Sequence, residues 1–236
     1  MQFIFLVLLL ASCESIPDNT LGKIGSFIQK GRLNNETIAN GLKEALAKGT
    51  EKAVLELSKS GGYSKNPLYK ILVPEDLKTF SDNLRRIGLG SKIDLFESKM
   101  NEAAEEASKK AAPIFLNAIK EMSLSDARDI LMGADDAATD YFAEKSYDSL
   151  RKAYLPEIKA KMEEIGLVAS YNNLLEKYNS IPFTKKVNFS PEVYVTEKSL
   201  EGLFSMIRNM EKSIRTNPSA RTTALLQSVF SKQDKK

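Results

Sequence analysis

Residues 125–142 read Ser125-Asp-Ala-Arg-Asp-Ile-Leu-Met-Gly133, then Ala134-Asp-Asp-Ala-Ala-Thr-Asp-Tyr-Phe142. Ala127, Ile130 and Leu131 fall at helical spacing, and a second apolar set, Ala138, Tyr141 and Phe142, follows the glycine. The stretch predicts two helices meeting at Gly133. Ser125 suits the N-cap of the first, its hydroxyl accepting an otherwise unpaired backbone N–H. Asp126 then lies in the first turn, where a carboxylate matches the positive end of the helix dipole. Gly133 is expected in the left-handed conformation that ends many helices. Asp135 and Asp136 repeat the first-turn pattern for the second helix. Each carboxylate thus has a structural role ready. In the competing reading, Asp126, Asp129, Thr139 and Tyr141 converge beside the glycine and line a polar pocket.

Outward from this junction the pattern stays helical. Asn34 or Asn35 can cap a helix carrying Ile38, Leu42, Ala45 and Leu46, which ends near Gly61-Gly62. A loop with Pro67 and a brief extended piece at Lys70-Ile-Leu-Val73 comes next. Pro74 suits a first helical position, with Leu77, Phe80, Leu84 and Ile87 as the buried face and Gly88 as the stop. A long helix over 91–112 holds Ile93, Phe96 and Met100, then Ala103, Ala104, Ala107 and Ala111, small enough to admit a close neighbour. Pro113 kinks or restarts it. Residues 147–165 read as a helix with Pro156 as a kink, and Leu174, Leu175 and Tyr178 anchor a short one. Residues 181–196 carry Pro182 and Pro191 and read as irregular. Thr196 is the expected cap of a helix with the stripe Leu200, Leu203, Phe204, Ile207, Met210 and Ile214. Asn217-Pro218 is a turn before a last helix over 220–230. No period-two pattern persists. The reading is one all-α, multi-helix bundle domain over 21–231, followed by a charged tail at 232–236.

The N-terminus reads as an address. Residues 3–10 are wholly apolar, too short a run to cross a bilayer, which takes ~20 residues, but suited to a secretory signal. Leu10-Ala11-Ser12-Cys13 follows and resembles the lipobox of bacterial lipoproteins. That resemblance implies a signal peptide at 1–12, lipidation of Cys13, a tether at 13–20, and anchoring at the bacterial outer membrane facing the periplasm.

Composition narrows the chemistry. The 236 residues are 42% hydrophobic and 28% charged, an ordinary globular balance. A net charge of +3 is too mild to indicate a nucleic-acid partner. With no histidine and one cysteine, His-based catalysis, His- or Cys-ligated metal clusters and internal disulfides are excluded. No phosphate-cradling glycine loop or calcium-loop spacing occurs. Asp126 and Asp129 could serve an irregular calcium site. Arg215 and Arg221 flank the Pro218 turn and suit an anion clamp; the simpler alternative is an Arg215 ion pair with Glu211, four residues earlier. Tyr63, Tyr69, Tyr171, Tyr178 and Tyr194 suit the rim of a binding surface.

Several pieces together resemble the bacterial family known as domain of unknown function 4197. They are Gly41-Leu-Lys-Glu-Ala-Leu46 with Gly49-Thr50, Leu72-Val-Pro74, Met100-Asn101, and Ala103-Ala-Glu105. Beyond these come Asp126-Ala127 with Ile130-Leu131 and Gly133, and Ala137-Ala-Thr139 with Tyr141-Phe142. Tyr194-Val-Thr196, Gly202-Leu-Phe204, Ile214-Arg215, Pro218, Arg221-Thr222 and Val229-Phe230 complete the set. Glu102 stands where the resemblance leads one to expect arginine. The resemblance implies a helical envelope protein and brings no mechanism or site with it. The expectation is a membrane-anchored, non-catalytic lipoprotein that binds a small molecule, a lipid or an envelope protein. The alternative is a carboxylate- or metal-assisted hydrolase of the envelope. The candidate ligand-binding residues are Asp126, Asp129, Thr139, Tyr141, Arg215 and Arg221. No catalytic residue, metal ligand or cofactor is assigned.

Overall fold

The computed structural model describes residues 35–183, 189–221, 227 and 229–230. The lipidation site at Cys13, the signal peptide, the tether, the first residues of the expected domain at 21–34 and the tail at 232–236 lie outside the described residues. So does most of the expected last helix, of which Gln227, Val229 and Phe230 are helical.

The described residues form an all-α bundle. In chain order its helices are α1 (Asn35–Ser58), α2 (Lys78–Leu84), α3 (Gly90–Ser108), α4 (Ala111–Glu121), α5 (Leu124–Met132), α6 (Ala137–Glu164), α7 (Leu167–Asn179) and α8 (Pro191–Thr216). Long helices α3, α6 and α8 pack on one another, and α1 packs on α3, α4, α5 and α8. The alanine run of α3 explains how closely they approach: Ala103, Ala104, Ala107 and, just beyond, Ala111 are all completely buried. Around them Phe96, Met100, Phe115, Phe142, Leu150 and Leu203 fill the main core. A smaller core joins Leu42 and Ala45 of α1 to Met122, Ile130, Leu131, Ala138, Val229 and Phe230. The 125–142 junction sits on that second core.

Several expected boundaries move. Thr196 caps nothing: α8 begins five residues earlier, after Ser190, with Pro191 in its first turn where a missing N–H costs nothing. Thr196 is buried and donates to the Glu192 carbonyl at 2.7 Å, as a mid-helix threonine does. The second junction helix and the 147–165 helix are one element, α6, which continues through Pro156. Pro113 lies in the first turn of a restarted helix, α4. Gly88 does break the chain, with a φ of 83° that favours glycine, and this turns Ile87 outward rather than into the core. Tyr63, Tyr69, Tyr171 and Tyr178 do not form a rim; all four are buried core residues.

The loop between α1 and α2 shows how an irregular segment stays ordered. Its backbone groups find partners on one stripe of α3, at positions four apart. The Val73 N–H donates to Glu97 at 3.1 Å, and the Tyr63 and Ser64 N–H groups donate to Glu105 Oε1 at 3.2 Å. Between them Asn101, completely buried, takes the Ile71 N–H on Oδ1 at 2.9 Å and returns Nδ2 to the Ile71 carbonyl at 2.7 Å. The amide thus replaces a strand partner for the extended piece at Lys70–Val73, and no strand forms there.

Candidate functional site at the helix junction

The cap of α5 is Ser123, two residues before the expected Ser125. The Ser123 N–H donates to Asp126 Oδ2 at 2.8 Å, and the Asp126 N–H donates to Ser123 Oγ at 3.0 Å. This reciprocal capping box satisfies two end groups at once. Ser125 lies inside the helix, in its first turn. The Ser123 backbone N–H, and then the Ser123 side chain, hold the Asp126 carboxyl below its usual range, helped by Lys145 and Lys43.

Gly133 also departs from expectation. Its φ is −77° and its ψ −169°, extended rather than left-handed. The glycine is there for space: a Cβ would lie 2.8 Å from both the Ala137 Cβ and the Asp129 carbonyl oxygen. The chain therefore folds α6 tightly back over the end of α5.

The close turn places two helix ends side by side, the negative end of α5 and the positive end of α6. A pair on one face of α8 matches both. Glu211 Oε1 accepts the Ala138 N–H at 2.9 Å, and Oε2 accepts the Thr139 N–H at 2.9 Å and its hydroxyl at 2.8 Å. One turn on, Arg215 Nη2 donates to the Ile130 carbonyl at 2.7 Å and Nη1 donates to the Leu131 carbonyl at 3.4 Å. Arg215 also binds Glu211 through Nε at 3.0 Å and Nη2 at 2.9 Å. Both side chains are more than nine-tenths buried. Each charge faces the helix end of opposite sign, a favourable term of up to ~2 kcal/mol when buried. Arg221 completes the chain of contacts by capping α8, donating to the carbonyls of Ile214 at 2.9 Å and Arg215 at 2.8 Å. The Phe230 ring lies 5.7 Å from the Arg215 guanidinium carbon and 6.0 Å from that of Arg221.

The six candidate residues therefore fall into two groups. Thr139, Arg215 and Arg221 join one buried network with Glu211. Asp126 and Asp129 lie on the outer side, with Asp129 exposed. Tyr141, half-buried, points its hydroxyl toward the Ala118 carbonyl at 3.5 Å; burial and then the nearby Asp126 push its pKa up. Among the described residues no three acidic or cysteine side chains gather closely enough to hold a metal ion. Glu211, read from the sequence only as a pairing partner for Arg215, was not among the candidate site residues, although it is the centre of the network. Its signal was its place: with Phe204, Ile207 and Ile214 it falls on the apolar stripe of α8, where a carboxylate needs a buried partner.

Chemically, the network is saturated. Glu211 has about four lone-pair sites and accepts five hydrogen bonds from four groups: two backbone N–H groups, one hydroxyl and one guanidinium. None of its lone-pair directions is left for a ligand. Next to it, α1, α6 and α8 leave a small cleft of about 30 Å³, lined chiefly by Leu42, Leu46, Gly49, Phe142, Ile207 and Ile214. A Cβ built at Gly49 would meet nothing within 4 Å.

The family described as "Protein of unknown function (DUF4197)" matches this chain over residues 32–231. No curated protein and no solved structure matches it.

Proposed function

We propose, for a chain that belongs to the DUF4197 family of proteins of unknown function, that it is a non-catalytic binding protein held at the bacterial envelope by lipid on Cys13. Its ligand is apolar: the terminal methyl of a lipid chain or a similarly small apolar group of another molecule, seated in the cleft of about 30 Å³ between α1, α6 and α8. One observation carries this reading. Gly49 stands inside the 24-residue helix α1, where glycine costs ~0.5–1 kcal/mol relative to alanine, yet no described atom uses the space it leaves. The cleft it opens is almost wholly apolar, and the polar groups beside it are already spent on one another. Acidic and hydroxyl groups at the junction support structure instead of bond making.

The lipid anchor rests on the sequence at 3–13. Among the described residues no helix is long and apolar enough to cross a membrane, so an anchor would have to come from elsewhere in the chain. Two variants test the two parts of the reading. Cys13→Ser should move the protein out of the membrane fraction; retention there would remove the anchor. Gly49→Leu should fill the cleft and abolish binding of a fluorescent fatty acid that wild type binds. Equal binding by both proteins, or none by wild type, would remove the ligand.

A further inference from the structure

A second recess lies across the bundle from the junction network and takes no part in the function above. It is a polar groove of about 360 Å³ between the loop after α1, the outer face of α3 and the end of α6. This is within the ~300–1,000 Å³ range of small-molecule sites. Glu105 forms part of its wall and is only 8% exposed. Oε1 of Glu105 holds the loop, accepting from the Tyr63 and Ser64 N–H groups at 3.2 Å and from the Ser64 hydroxyl at 3.1 Å. Oε2 has no hydrogen-bond partner among the described residues, and it is not sealed from solvent, since among those residues the one buried polar side-chain atom without a partner is the Tyr154 hydroxyl. A nearly buried carboxylate thus offers one free oxygen to the groove.

The rest of the lining decides what would meet that oxygen. Two ammonium groups border it, and each is already paired: Lys109 with Glu106 at 2.6 Å, and Lys161 with Glu102 at 3.6 Å and Glu164 at 2.8 Å. An anion would face the carboxylates of Glu102, Glu105 and Glu106. A cation would have to enter between two ammoniums. Ser58, Ser60 and Ser98 add three hydroxyls, each able to donate and to accept, and Ser64, whose hydrogen is given to Glu105, can still accept. Such a mixture suits a neutral ligand that is rich in donors and acceptors at once.

We propose that this groove binds a neutral saccharide, with Glu105 Oε2 accepting from one sugar hydroxyl and the serines and lysines bonding the others. No aromatic side chain lines the groove, so binding is weak, of order millimolar.

Amide NMR of the folded domain tests this with glucose, N-acetylglucosamine, spermidine and inorganic phosphate as probes. The expected result is saturable shifts at Ser64, Ser98 and Lys161 with a neutral sugar and none with the charged probes. Glu105→Gln keeps an acceptor for the loop but turns the free oxygen into a donor, and should weaken sugar binding about tenfold. Ser98→Trp, at an exposed position, blocks the groove without touching the loop bonds and should abolish the shifts while leaving the melting curve unchanged. Shifts with spermidine or phosphate alone, sugar shifts that survive in Ser98→Trp, or no shift with any probe would each overturn the proposal. None of these outcomes depends on Cys13 or on the apolar cleft.

Discussion

Replacing Glu211 by alanine should be among the most damaging single changes in this protein. The substitution leaves Arg215 buried without its counter-charge and strips acceptors from the Ala138 N–H, the Thr139 N–H and the Thr139 hydroxyl. Breaking one side of a buried pair costs ~3–5 kcal/mol. The unpaired donors add to that less than additively, because Thr139 and the α6 end can shift toward water. Against a domain stability of ~5–15 kcal/mol, the loss would bring many such proteins close to unfolding at room temperature. Urea denaturation followed by circular dichroism measures it as a lower midpoint. Glu211→Gln is gentler, because it keeps the shape and one acceptor. The double change Glu211→Leu with Arg215→Met should recover part of the loss, since no lone charge remains buried. Recovery stays incomplete because the Ile130 and Leu131 carbonyls lose their donor. A Glu211→Ala variant within ~1 kcal/mol of wild type would refute the clamp.

Other outcomes follow from the same geometry. Gly133→Ala should destabilise by ~1–3 kcal/mol through overpacking against Ala137 and the Asp129 carbonyl; an unchanged thermal midpoint would mean the turn relaxes freely. Ser123→Ala should cost ~1 kcal/mol as a lost cap, whereas Ser125→Ala should be silent; the reverse order in melting curves would restore Ser125 as the cap. The Asp126 carboxyl is lowered by folding, so its contribution is complete above the ordinary carboxylate range and fades as pH falls through the lowered value. Acid unfolding of Asp126→Ala should accordingly show a shallower pH dependence than wild type. At the alkaline end, burial raises Tyr63 and Tyr154, and Tyr147, hydrogen-bonded to Glu197, is pushed up to about 12. These three favour the folded state until pH rises past the ordinary tyrosine range, and that contribution is then lost toward their raised values. Tyrosinate absorbance from the buried rings should appear late and together with unfolding; early, fully reversible ionisation of all eight tyrosines would contradict the burial of Tyr63 and Tyr154.

Much of the bundle was legible because its helices carry long apolar stripes. The alanine run of α3 and the stripe of α8 announce tight packing by spacing alone. Boundaries were harder to read where two signals compete. Ser123 and Asp126 have capping-box spacing, but Ser125 stands beside the apolar run and draws the assignment. Thr196 resembles a cap, yet Pro191 can start the helix sooner because it needs no partner for an N–H. Gly133 could be read as a glycine of either kind, since a positive φ and a crowded contact leave the same letter. The site was legible only in part. Arg215 and Glu211 were seen as an i, i+4 pair, but which helix ends they meet depends on contacts 73–85 residues apart in sequence. Asn101 likewise reads as an ordinary polar residue until the loop at Ile71 is brought against it.

Native mass spectrometry of the protein extracted from its own membrane tests the account most directly. A chain beginning at an acylated Cys13 is predicted, carrying an apolar molecule that disappears in Gly49→Leu and persists in Asp126→Asn. A non-acylated chain retaining residues 1–12, or a bound molecule lost from Asp126→Asn yet kept by Gly49→Leu, would contradict it.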